Sequence, residues 1–157
     1  MLKIKKIDHV AVAVADMDEA LARWRQLVGV DAEAREVVAS QRTEAALLPL
    51  GETCVELISP KGNEGLQKFL EKRGPGLHHI AIEVEGIEDA IAFLKSLHVP
   101  LIDETPRVGA HGHKAAFLHP RRRAVKTDGI PPHREVMIPS GEVMLRGWLF
   151  PGRLPRR

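Results

Sequence analysis

The strongest constraint in this chain is an internal repeat at a fixed offset of 70 residues. IDHVAVAVADMDEALARWRQL, beginning at Ile7, lies over LHHIAIEVEGIEDAIAFLKSL, beginning at Leu77. His9 falls on His79, Val10 on Ile80, Ala11 on Ala81, Val12 on Ile82 and Val14 on Val84. Farther along, Ala20 meets Ala90, Leu21 meets Ile91 and Leu27 meets Leu97. The same offset, without a gap, lays EAALLPL from Glu44 over KAAFLHP from Lys114. Two separated blocks in one register mark a duplicated module.

Each copy has a readable order of elements. Val10, Val12 and Val14, like Ile80, Ile82 and Val84, alternate with other residues as a half-buried strand does. An amphipathic helix follows. In the first copy Asp16 is the expected N-cap, with Glu19 in the capping-box position, and Leu21, Trp24, Leu27 and Val28 recur at helical spacing. In the second copy Ile87, Ile91, Phe93, Leu94 and Leu97 do the same. Then come EAALLPL, a Gly51-Glu52 turn and TCVELIS, so one module reads β-α-β-β-β. Between the copies, Leu66, Phe69 and Leu70 predict a short helix closed by Gly74, Pro75 and Gly76. A lone module leaves one sheet face bare, so two copies are expected to form an α+β domain: a curved mixed sheet, helices outside, around a cleft. The expected boundaries are module one at 1–61, the linking helix at 62–76 and module two at 77–138, a single domain of 1–138, with an atypical basic tail at 139–157.

The repeat also singles out chemistry. A lone buried histidine is usually a hydrogen-bonded core residue, but duplicated packing does not require histidine twice. His9 and His79 are therefore candidate metal ligands, expected to face each other across the cleft. Glu56 interrupts the apolar strand Cys54-Val55-Glu56-Leu57-Ile58, and alternation puts it on one face with Cys54 and Ile58. It is either a surface glutamate on an edge strand or a buried carboxylate, and the latter needs a metal or a strong donor. Imidazole with carboxylate suits divalent Co²⁺, Mn²⁺, Ni²⁺ or Zn²⁺. Glu44 is either a solvated strand end or a general base. His78, His98, His111, His113, His119 and His133 have no such positional logic.

Charge narrows the partners. The net charge of +2 divides into +6 on residues 119–157 and −4 on 1–118. The basic end suits an anionic cofactor such as coenzyme A, or a solvated terminus; with only Trp148 and Phe150 interleaved, nucleic acid is not an expected partner. No apolar run is long enough for a membrane span, so no membrane partner is expected. A single cysteine, Cys54, points to a reducing cytoplasm.

Four stretches, IDHVAVAV, LPLGETCVELISP, KFLEKRGPGLHHIAIEV and LIDETPRVGAHGHKAAFLHP, run through most of residues 5–120. In order and spacing they resemble the methylmalonyl-CoA epimerase family of the vicinal-oxygen-chelate superfamily, whose fold is two tandem βαβββ modules around a metal cleft. The resemblance implies a divalent ion, Co²⁺ first, bound by His9, His79, Glu56 and a closing glutamate. It implies a homodimeric isomerase that takes an acyl-CoA thioester and interconverts (R)- and (S)-methylmalonyl-CoA, with carboxylates on both sides of the substrate. Glu44 and the closing glutamate match that need.

The chain departs from the family after His119-Pro120. Glu56 plus the offset is Lys126, where a closing carboxylate belongs. Glu135, alternating within HREVMI, is the first replacement, and Glu142 the second. Two other readings compete with the epimerase. One is glyoxalase I-like isomerisation; the other is a non-catalytic binding protein on the same fold, favoured by the altered closing strand.

Overall fold

The computed structural model describes residues 1–109 and 112–119. The first copy contributes β1 (Ile4–Ala13), α1 (Met17–Val28), β2 (Ala34–Val38), β3 (Thr43–Leu50) and β4 (Thr53–Pro60). Then follow α2 (Glu64–Arg73), β5 (Gly76–Val84), α3 (Ile87–Ser96), β6 (Arg107–Val108) and β7 (Lys114–Ala115). The expected helices form where their caps place them. The Asp16 side chain accepts from the Glu19 amide at 2.9 Å, satisfying one of the free N–H groups of α1. Gly29, at φ 72°, closes that helix in the left-handed conformation that only glycine adopts without strain. Asn63 caps α2 through the Leu66 amide, and Gly74 ends it. No helix among the described residues is long and apolar enough to cross a membrane.

The main sheet is mixed, in the order β2-β3-β4-β1-β5. β1 runs parallel to β4 and antiparallel to β5, so the equivalent first strands of the two copies are hydrogen-bonded neighbours. One sheet face packs on α1: Val14, Ala46, Leu48, Val55 and Leu57 meet Leu21 and Trp24. The other face carries Ala11, Ala13, Ala45 and Ile58, against which Leu66, Phe69 and Leu70 of α2 pack. Its alanines matter for function, because small side chains leave a hollow where leucines would fill it.

The second copy departs from the expected β-α-β-β-β. Its helix α3 forms, and Ile87 and Ile91 pack on Ala116, Leu101 and Leu118. Among the described residues its later strands are only β6 and β7, two residues each, paired with one another rather than joined to the main sheet. A single bridge, Leu101 to Leu118, adds to them. Proline explains part of the difference: Pro106 stands where the first copy has Glu36 of β2, and proline has no amide to give a ladder. The expected closing segment, with Lys126, Glu135 and Glu142, lies outside the described residues.

Candidate metal centre

Register brings three of the expected site residues together. Ala11 of β1 pairs with Glu56 of β4 on one side and with His79 of β5 on the other. Directly paired residues share a sheet face, so Glu56 and His79 flank an alanine with no side chain beyond Cβ. His9, two residues earlier on β1, points to the same face. The ligand atoms of His9, Glu56 and His79 lie within 4.8 Å of one another, and all three residues are buried. Glu56 is thus a buried carboxylate and not a surface glutamate.

One detail corrects the sequence-based expectation. The two histidines do not face each other across the cleft; they stand side by side on adjacent strands, rings 5.5 Å apart at 72°. The pseudo-twofold axis passes between β1 and β5, because antiparallel pairing of equivalent strands puts it there. Over His79 opens a cleft of roughly 430 Å³ whose walls include Glu56, Glu64, Arg42 and Arg107. Such a volume suits a small-molecule group, and the lining carries two guanidiniums, Arg42 and Arg107, beside two carboxylates, Glu56 and Glu64. Arg107 lies 4.5 Å over the Phe117 ring and 3.1 Å from Asp103, which holds it in place.

The electrostatics centre on His9. Its Nδ1 donates to Asp8 Oδ2 at 2.8 Å, while Nε2 stands 3.3 Å from Glu56 Oε2 without a well-angled hydrogen bond. Burial lowers the affinity of this imidazole for a proton, but the Asp8 hydrogen bond and the adjacent Glu56 and Asp8 carboxylates outweigh it and push the pKa up to about 9.

Glu44 is not brought to this group. On β3 it shares its face with Ala46 and Leu48, the α1 side, whereas Thr43 and Ala45 face the cleft. Its oxygens are held by Arg35 Nε at 2.8 Å, Lys61 Nζ at 2.9 Å and Ser59 Oγ at 3.2 Å. The Lys61 ammonium first, then Arg35 and Ser59, hold its carboxyl below the usual carboxylate range against the cost of burial. It is neither a solvated strand end nor, in this conformation, a base for a ligand in the cleft. Glu135, the other catalytic candidate, lies outside the described residues.

Comparison with known proteins follows the same lines. Residues 8–117 match the profile of the Glyoxalase/Bleomycin resistance protein/Dioxygenase superfamily. The ethylmalonyl-CoA/methylmalonyl-CoA epimerase of Cereibacter sphaeroides is 35% identical over 121 residues, 75% of this chain and 90% of that protein. The mitochondrial methylmalonyl-CoA epimerase of Homo sapiens is 33% identical over 118 residues, 74% of this chain and 67% of that protein. The chain belongs to this superfamily, in the methylmalonyl-CoA epimerase family. A solved methylmalonyl-CoA epimerase in complex with methylmalonyl-CoA and NH4⁺ superposes with a TM-score of 0.72 at 28% identity, covering 75% of this chain and 87% of that one.

For a member of the methylmalonyl-CoA epimerase family, the donor set fits a divalent ion. His9 Nε2 is a buried ligand-type atom without a hydrogen bond, beside a carboxylate oxygen and a second imidazole. Two imidazoles and one carboxylate form a mixed nitrogen and oxygen donor set of the kind that borderline divalent ions accept. Without metal, the raised pKa of His9 has a consequence for stability. A histidine whose folded pKa exceeds its ordinary 6.5 contributes stability that is complete below that value and lost as pH rises through about 9. The metal-free chain is therefore expected to lose roughly 3 kcal/mol between those limits. Denaturant midpoints across that range should fall for the wild type and stay nearly flat for His9→Gln; a flat wild-type profile overturns the assignment.

Two residues at the site escaped sequence reasoning, Asp8 and His78. The signal was available. Asp8 and His78 are equivalent under the offset of 70, each immediately before a site histidine. His78 Nδ1 lies 2.9 Å from His79 Nδ1, as Asp8 Oδ2 lies 2.8 Å from His9 Nδ1.

Proposed function

We propose that this chain interconverts the (R)- and (S)-epimers of methylmalonyl-CoA, with His9, Glu56 and His79 as ligands of a divalent ion. The observation that carries the proposal is the convergence of their ligand atoms within 4.8 Å, with Glu56 and His79 lining a cleft, in a chain of this family. Co²⁺ is the ion first proposed for this mixed nitrogen and oxygen donor set, ahead of Mn²⁺, Ni²⁺ and Zn²⁺. A homodimer in the reducing cytoplasm completes the reading, the compartment resting on the single cysteine, Cys54.

The chemistry required is removal and return of the proton on the carbon between a thioester carbonyl and a carboxylate. The bound ion supplies Lewis-acid stabilisation of the oxygen that gathers charge when that proton leaves. The chain's residues do the rest. Asp8 accepts the Nδ1 proton of His9 and so turns the Nε2 lone pair toward Glu56 and His79. Arg42 and Arg107 on the cleft walls attract a polyanionic thioester. Inversion needs a carboxylate on each side of the reacting carbon. Glu44 is engaged on the far sheet face, so we assign one of the two roles to Glu135, the first candidate in sequence for the closing glutamate.

The test is proton exchange. In deuterated water with added Co²⁺, the chain should incorporate deuterium at the carbon alpha to the thioester of methylmalonyl-CoA, and a chelator should stop it. Metal uptake with no deuterium incorporation would favour the binding-protein reading instead. Incorporation untouched by chelator would reject the metal's role.

A further inference from the structure

The residue before each site histidine reaches that histidine's outer nitrogen, and the two reach it with different chemistry. At position 8 the partner is a carboxylate with a 42% exposed side chain; at position 78 it is a second imidazole, itself only 6% exposed. We propose that His78 is a positioning residue that holds His79 in the tautomer and orientation needed to present Nε2 to His9 and Glu56. This rests on the metal-centre reading of the previous subsection and extends it to a residue outside the ligand set.

The backbone makes the arrangement possible. In a regular strand, consecutive side chains point to opposite faces. Between β1 and β5 the register shifts at Ala11 and Val12, which pair with His79 and Leu77. His78 is the extra residue of a β-bulge, and the bulge turns its side chain to the cleft side together with His79. The His78 ring is then fixed by packing: its centroid lies 4.8 Å from that of Phe69 on α2, edge to face at 82°. Phe69 thereby ties the linking helix to the centre.

The proton count sets the direction of the hydrogen bond. Two Nδ1 atoms at 2.9 Å share one proton. If His79 is to offer a lone pair at Nε2, its proton sits on Nδ1 and points at His78. His78 then accepts at Nδ1 and carries its own proton on Nε2. A metal-binding imidazole commonly donates its other N–H in this way, and loss of such a partner lowers metal affinity without removing a ligand. The duplicated module thus keeps a partner for both outer nitrogens, anionic for His9 and neutral for His79. The two imidazoles are consequently donors of unequal strength.

The experiment uses the full chain and titrates Co²⁺ by its visible absorption. His78→Phe keeps a ring against Phe69 and removes the acceptor; it should weaken Co²⁺ binding roughly 10- to 100-fold and alter the absorption band. His78→Asn places Oδ1 near the original Nδ1 and should restore affinity toward the wild type. Wild-type affinity in His78→Phe overturns the proposal. Failure of His78→Asn to improve on His78→Phe also overturns it, because the role is then packing. Should either variant unfold in thermal melts, nitrogen NMR of the wild-type chain loaded with Zn²⁺ decides: His79 protonated on Nδ1 supports the proposal, and on Nε2 rejects it. His9→Ala is the separate control. Unchanged Co²⁺ binding there means the metal centre itself is misassigned, whatever His78 does.

Discussion

Replacing His79 with alanine is expected to remove most of the chain's affinity for divalent metal. Apparent binding energies of about 10–16 kcal/mol for structural zinc sites divide over four ligands, so one ligand carries roughly 2.5–4 kcal/mol. At about 1.4 kcal/mol per decade, the loss is on the order of several hundred-fold. Among the described residues, Ala11 and Ala81 on the neighbouring positions offer no donor atom, and the His78 ring is held edge to face against Phe69. Deuterium incorporation into methylmalonyl-CoA should fall with metal occupancy. The check is metal content by elemental analysis after dialysis, with secondary structure followed by circular dichroism. Full occupancy in a folded His79→Ala chain would remove β5 from the centre.

The second large effect lies one residue along the strand from Glu56, on the opposite face. Leu57 is 0% exposed and sits on β4, a central strand, between Val12 of β1 and Ala46 of β3. It packs with Val14, Leu48 and Val55 against the apolar stripe of α1. Leu57→Ala takes those methyl groups from a well-filled core and leaves a cavity that the sheet cannot collapse, because hydrogen bonds hold β4 on both sides. The expected cost is about 2–5 kcal/mol, a drop in Tm of roughly 5–15 °C for a chain of this size. Denaturant unfolding measures it; a loss below about 1 kcal/mol would mean α1 is not seated on this face. Metal affinity should hold in the same variant, since the side chain points away from the cleft. Glu56 and Leu57 thereby separate function from stability within two consecutive residues.

Much of this was legible in the chain. The offset between His9 and His79 identified the duplication, and duplication with alternation implied paired strands, a helix on one face and a cleft on the other. Glu56 announced itself because a carboxylate among Cys54, Val55, Leu57 and Ile58 has no cheap place to sit. Asp16 and Gly74 mark helix ends because capping is local chemistry, decided by residues within one turn of each other. Such features need only near neighbours, and sequence carries near neighbours directly.

Register and strand order were decided only in three dimensions. The sequence places His9 and His79 on equivalent strands, but whether these lie across a cleft or side by side depends on hydrogen bonding between segments 70 residues apart. Glu44 looked available as a base because its strand borders the cleft; the pairing of Glu44 with Ser59 put it on the other face, where Arg35 and Lys61 neutralise it. His78 had no positional logic in the sequence, and the bulge that brings it to the same side as His79 arises from pairing with β1. A side chain's face is a property of two strands together, with a period of two, so one residue of slippage inverts it. Local propensity names the elements, whereas the atoms around Ala11 become a site through the alignment of three strands.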